Sequence, residues 1–399
     1  MQADLFCQVI DHYGDIGVTW RLAKQLNKEH GISLRLWVDD LNVFARIEPR
    51  IIAQADQQTI DQIDIRRWVK DTAPPKPYPI VISSFCCPLG TDWLKRMSAE
   101  SNPCWVELEY LSAEPWVESH HGLSSKRSDG LNPTFFYPGF TNLTAGLIRE
   151  RNIIQERDAW QADMAQQNHF LKHIGVPINP HVLRPFYVSL FAYPPAPFQS
   201  FFNALNRLSK WNASQASHLH HTLQSSLIFD STQTETQQLK NIHILIPEGV
   251  SLPDNLITSP SVTWQRIPFL TQADYDKLLW SMNLNVVRGE DSFMRALWAG
   301  KPLIWHIYRQ TENTHLTKLN AWLARTELPQ PVKEAMLAWS SPKQSDQLET
   351  ALLEALSAEN WLNWQQTANQ YAQKLAILPD LATNLAHFCH EKTKNTESG

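Results

Sequence analysis

Two short stretches carry residues whose types and spacing could do chemistry. In VIDHYGDIGVTW, residues 9–20, Asp11 and Asp15 flank an aromatic-glycine turn directly after an apolar run. A helix start offers unpaired NH groups and a dipole that favour an anion, but two carboxylates would repel a phosphate. They suit a cation to be held or a proton to be removed. The plainer alternative is a turn with two helix-capping carboxylates. In LNVVRGEDSFMRALWAGKPLIWHIY, residues 284–308, an apolar strand runs into Arg288, Gly289, Glu290, Asp291 and Ser292, and Gly300 and Pro302 end the helix that follows. Arg288 can make forked hydrogen bonds to a diphosphate while Ser292 and helix-start NH groups hold its oxygens. A surface loop fits the spacing equally well, with Asp291 capping the helix and Arg288 paired to Glu290, because RGED is not a standard phosphate loop.

If the second stretch holds a nucleotide diphosphate across a cleft, the first faces the reactive end of the ligand. One carboxylate then acts as base and the other orients a cationic group.

The elements that must position these residues read as two doubly wound α/β halves. LFCQVI, SLRLWV and YPIVISSF are strand candidates in the first half, with Val18, Leu22 and Leu26 on one helix face between the first two. SLRLWV ends at Asp39 and Asp40, which can cap the next turn or bind a ribose or cation. VPINPHVLRP, residues 176–185, is proline-rich and suits an interdomain linker. YVSLFAY, IHILIP, LNVV and LIWHIY form a second strand set. The polar segment at about 212–240 reads as a partly disordered surface insertion, its His218, His220 and His221 lacking partners at metal-ligand spacing. ENWLNWQQTANQYAQKLA has helical character, and EKTKNTESG should fray. The expected domains are 1–178, 184–360 and a C-terminal helical segment with tail at 361–399.

Bulk properties narrow the class. A 399-residue chain exceeds what one core usually serves. Hydrophobic content of 43%, charged content of 19% and a net charge of −5 describe a globular protein with no general footprint for nucleic acid or anionic membrane. Five cysteines without paired spacing read as reduced thiols, and the sixteen tryptophans mostly as core packing. No signal peptide or long apolar span is present, so a soluble, cytoplasmic protein is expected.

With both stretches in hand, the sequence resembles the elongation factor P arginine rhamnosyltransferases, bacterial enzymes of the two-domain GT-B type. The carriers are DHYGDIGVTWRLAKQL near the start, WVELEYLSAE at 105–114, YPGFTNLTAGLIRER at 137–151, IPFLTQADYDKLLW at 267–280, and VRGEDSFMRALWAGKPLIWHIY. The resemblance implies a GT-B fold of two Rossmann-like domains facing a central cleft. It also implies inverting, metal-independent transfer of L-rhamnose from dTDP-beta-L-rhamnose to one arginine of elongation factor P, which activates that factor for ribosomes stalled at polyproline. By the same resemblance Asp15 is the general base, Asp11 its companion, and Glu290 a glutamate needed for activity. Arg288, Asp291, Ser292 and Tyr308 match donor-binding positions, Phe269 and Gln272 the thymine-binding segment, with Phe191 and Tyr193 contributing there. No metal, cofactor, nucleic acid or membrane is implied, and elongation factor P is the protein partner. The chain departs from the family at His12 and Tyr13, where Asn-Phe is common, at Arg309, where a proline is common, and in the long polar insertion. The rival readings are another GT-B enzyme acting on lipopolysaccharide sugars and a non-catalytic nucleotide-sugar-binding regulator.

Overall fold

Apolar runs a few residues long, each ending in a polar turn, become the central strands of two sheets. The computed structural model describes residues 1–10, 13–69, 73–100, 102–179, 184–219, 241–341 and 345–397. The chain divides into two units, Met1–Ile153 with Lys374–Gly399, and Ile154–Gln373.

The first unit holds β1 (Gln2–Cys7), β2 (Ser33–Val38), β3 (Gln57–Ile60), β4 (Ile63–Arg67), β5 (Ile80–Ser84), β6 (Cys104–Leu108) and β7 (Thr134–Phe136). They lie in the order β3-β4-β2-β1-β5-β6-β7, with only the β3–β4 hairpin antiparallel. Because β2 and β5 flank β1 on opposite sides, the turn after β1 sits where the winding reverses, the position at which open α/β sheets bind ligands. Phe6, Trp37, Trp68, Trp93 and Trp105 pack together in this unit's core. One buried charge pair crosses the sheet: Arg35 donates to both oxygens of Asp4, at 2.5 and 2.8 Å, and the Trp37 indole NH donates to the same carboxylate at 2.8 Å. Full pairing is what lets that charge stay buried.

The second unit holds β8 (Phe186–Leu190), β9 (Ile242–Pro247), β10 (Val262–Ile267), β11 (Leu284–Arg288) and β12 (Leu303–His306), all parallel, in the order β10-β9-β8-β11-β12. Its reversal lies between β8 and β11, so residues 191–193 and 288–292 leave the sheet side by side. Both units are doubly wound α/β sheets of the Rossmann-like kind the sequence predicts.

Three expectations are corrected. The proline-rich stretch is not the boundary: Val176 is buried in the second unit with Phe170, Leu171 and Ile174 against Tyr187, Leu245, Ile267, Leu278 and Met282. Arg157 and Gln161 also donate to the Trp298 and Ala299 carbonyls, satisfying helix-end groups that would otherwise lack partners. Residues after Ile153 are thus bound to the second unit. The insertion begins as helix, since Phe198–Leu219 is continuous; His220, His221 and the remainder through 240 lie outside the described residues. The C-terminal stretch is helical from Leu381 to Glu397 rather than frayed over those residues, the last two positions lying outside the described residues, and it belongs with the first unit. There Gln25 donates to Asp380 at 3.0 Å, Asn384 to the Ala145 carbonyl at 3.0 Å, and Phe388 packs on Phe136.

Most tryptophans are core residues, as composition suggests. Among the described residues no helix is long and apolar enough to cross a membrane.

Candidate active site

In the first unit, Asp15 lies in the first turn of the helix Gly14–His30, next to the turn that follows β1. Its side chain is buried, and Oδ2 accepts the Ile10 NH at 2.8 Å. The same turn is gripped from the neighbouring strand. Asp39, just past β2, accepts the Val9 NH at 2.9 Å, and burial raises its pKa. Asp40 takes the capping role, accepting from the Asn42 and Val43 NH groups. Asp39 is therefore a brace for the Asp15 turn, a role the sequence did not suggest. The signal was available in principle, because parallel pairing of β1 and β2 brings Cys7 opposite Val38 and so aligns the two strand ends. Asp11 lies outside the described residues.

In the second unit, the residues leaving β8, β11 and β12 converge. The Arg288 guanidinium carbon lies 4.1 Å from the Phe191 ring centroid and 4.8 Å from that of Tyr193, and Nη1 donates to the Ala192 carbonyl at 3.3 Å. Tyr193 meets Tyr308 edge-on at 5.3 Å. Among the described residues Arg288 makes no ion pair, so the loop reading in which it pairs with Glu290 is not what forms. Gly289, at φ 64, gives the chain the left-handed bend that leads into the helix Asp291–Ala299, and Gly300, at φ 63, closes that helix. Glu290 occupies the cap position without a side-chain cap hydrogen bond, Asp291 opens the helix, and Ser292 is buried behind it.

Two further groups complete this cluster. His306, at the end of β12, accepts the Tyr193 NH through Nδ1 at 3.2 Å. Burial, reinforced by Arg309, Arg288 and His315, lowers its pKa to about 3. It therefore stays neutral, and the positive charge at this end of the sheet is that of arginine. Tyr275 packs edge-on against Phe191 at 6.0 Å, its hydroxyl buried beside Ser292 and Asp291 without meeting a partner at full hydrogen-bond distance. Burial raises this phenol's pKa strongly, so it remains a donor. Sequence reading missed Tyr275, although it stands three residues after Gln272 on one helix, Gln272–Ser281, and hence on a shared face. Gln272 is buried at the start of that helix and Phe269 half-buried just before it. The contacts thus unite Phe191, Tyr193, Arg288 and Tyr308 directly and bring the 269–275 segment to them through Tyr275. Asp15 stands in the other unit.

Among the described residues no cluster of three or more His, Cys, Asp or Glu is placed to hold a metal ion.

Residues 3–390 match the family model described as elongation factor P (EF-P) rhamnosyltransferase EarP. The chain belongs to the EarP family. A protein-arginine rhamnosyltransferase of Pseudomonas putida is 40% identical over 392 residues, covering 96% of this chain and 97% of its own. One from Neisseria meningitidis is 31% identical over 408 residues, with 98% and 97% covered. A solved structure described as the structural basis for EarP-mediated arginine glycosylation of translation elongation factor EF-P superposes with a TM-score of 0.58 at 28% identity, covering 98% of this chain and 99% of that one. The two Rossmann-like units are accordingly those of a GT-B glycosyltransferase. Within the EarP fold, the RGED loop and the first aspartate turn occupy equivalent places, each at the carboxyl end of strands where its own sheet reverses.

Proposed function

We propose that this protein transfers L-rhamnose from dTDP-beta-L-rhamnose to an arginine side chain of elongation factor P, with inversion at the anomeric carbon and without a metal. The observation that carries the reading is membership of the EarP family along residues 3–390. The geometry of each unit supports it.

In the second unit, Phe269 and Gln272, with Phe191 and Tyr193, receive the thymine end of the donor. Arg288, Asp291, Ser292, Tyr275 and Tyr308 receive its ribose and diphosphate, and Glu290 holds the loop. An arginine held over two aromatic rings and tied to a carbonyl has lost rotamer freedom beforehand, so little of its binding energy is spent on ordering. The helix-start NH groups add fixed positive potential.

The acceptor guanidinium is a poor nucleophile, protonated and delocalised. Asp15, with Asp11 as companion, orients it by charge and then accepts a proton from the attacking nitrogen. That nitrogen's electron pair forms the bond to the anomeric carbon while the carbon–oxygen bond to the diphosphate breaks from the opposite face. dTDP leaves with the bonding pair, and the charge growing on it is met by Arg288 and the helix start. In this scheme protein groups do what a metal does in other transferases.

The direct test is intact-mass measurement of elongation factor P after incubation with enzyme and dTDP-beta-L-rhamnose. A gain of one deoxyhexose, mapped to a single arginine, is expected; an unchanged mass with donor bound would overturn the reading. Asp15→Asn should lose turnover while dTDP affinity, measured by calorimetry, stays at the wild-type value.

A further inference from the structure

The first unit contains a second recess that the chemistry above does not use. It is an open cavity of about 480 Å³ at the carboxyl ends of β5 and β6, walled by Leu94, Trp105 and Phe135 and by the Cys86–Thr91 loop. None of its lining residues belongs to the turn that carries Asp15. The loop starts with Phe85 and Cys86 in the left-handed backbone region, at φ 59 and 56, which turns the chain sharply off the strand, and Phe85 is held there by stacking on Tyr110 at 4.7 Å. The polar lining is unequal in sign. Glu107 and Glu109 stand two apart on one face of the chain. Arg127 lies over Trp105 at 5.5 Å, but its charge is already matched by Asp129, 2.7 Å away. Glu107 accepts only a neutral partner in hydrogen bonding, the Ser83 hydroxyl at 2.7 Å, and forms no ion pair among the described residues.

Two carboxyls at the back of an apolar slot fit a side chain with a methylene stem and a cationic head, since the stem covers the rings while the head reaches the acids. We propose that this recess is a second acceptor subsite, which takes a lysine or arginine side chain of the protein substrate while the Asp15 turn holds the arginine to be modified. The inference rests on the proposed function. Its geometry is economical, because β1, β5 and β6 are adjacent strands, so the strands that lead to the two positions are roughly 10 Å apart across the sheet. A folded protein can present two cations at that spacing, which would let the enzyme select its acceptor by more than the reacting group.

Cys86 is the exposed cysteine of the five and lines this recess, so its alkylation reports occupancy. With iodoacetamide and peptide mass mapping, saturating elongation factor P should slow Cys86 labelling and dTDP alone should not. In steady-state assays Glu107→Gln should raise the KM for elongation factor P roughly tenfold, the size expected for losing one charge-assisted contact, with kcat held. Glu109→Gln should act in the same direction. An enzyme that is active on elongation factor P yet shows unprotected Cys86 and an unchanged KM in both variants would overturn the subsite alone. A wild-type protein that neither binds nor modifies elongation factor P would overturn the subsite together with the function on which it rests.

Discussion

Arg288 is oriented by its neighbours rather than by its charge. Its guanidinium carbon lies close over the Phe191 and Tyr193 rings, and one NH is committed to the Ala192 carbonyl, leaving the rest of the fork to meet an anion. Arg288→Ala should weaken dTDP binding by about 2 kcal/mol, some thirtyfold, read by calorimetry; lysine should restore only part, because an ammonium cannot lie flat on two rings. At Glu107 the decisive influence is burial, which raises the carboxyl to about 7 with Glu109 adding to the rise and Ser83 and Arg127 opposing it. A carboxyl raised above its unfolded value stabilises the fold at low pH and loses that contribution as pH climbs through 7. Glu107→Gln should therefore be more stable than wild type at pH 8, by about 2 kcal/mol in chemical denaturation, with the difference gone near pH 4.

At the scale of elements, the loop at 288–292 is fixed by a clamp between two helices. Arg295 donates to both oxygens of Asp276, at 2.8 and 2.7 Å, joining Gln272–Ser281 to Asp291–Ala299 in a buried setting. Removing one partner leaves the other charge buried alone, so Asp276→Asn should cost about 3 kcal/mol. The loss should appear as faster hydrogen exchange along residues 272–299. The sequence made the central strands easy to see: SLRLWV and IHILIP coincide with β2 and β9, because interior strands are apolar on both faces. β3, β4, β6, β7 and β10 escaped it. β3 and β10 each lie at one edge of a sheet and carry exposed polar residues, as in VTWQRI, so no apolar run marks them, and in the interior β6 a glutamate, Glu107, breaks the run CWVEL. The site was legible in its loops, where Arg288 and Asp15 declare themselves by type. Asp39, Tyr275 and His306 were not, since each acts through a neighbour that only pairing of strands or helix faces supplies.

At the scale of the molecule, the two units are not two consecutive lengths of chain. The helix Ala358–Ala376 runs out of the second unit, and the following helix, Leu381–Glu397, packs with Gly14–His30 in the first. Deleting residues 377–399 should unfold the first unit, lowering its ellipticity and exposing the apolar surface that Phe388 and Leu385 cover, while the second unit keeps its dTDP affinity.

This arrangement also sets an order of events during synthesis. The two segments of the first unit lie on either side of the second in the chain. When Ile153 leaves the ribosome, the first unit still lacks the helix Leu381–Glu397 that packs with Gly14–His30, and that helix follows on the order of tens of seconds later at ordinary elongation rates. The second unit, made from one uninterrupted length, can be finished in the interval. A newborn chain therefore has the whole length of its second unit before the first can close, and the turn that carries Asp15 is secured only after the residues of the second unit have been made.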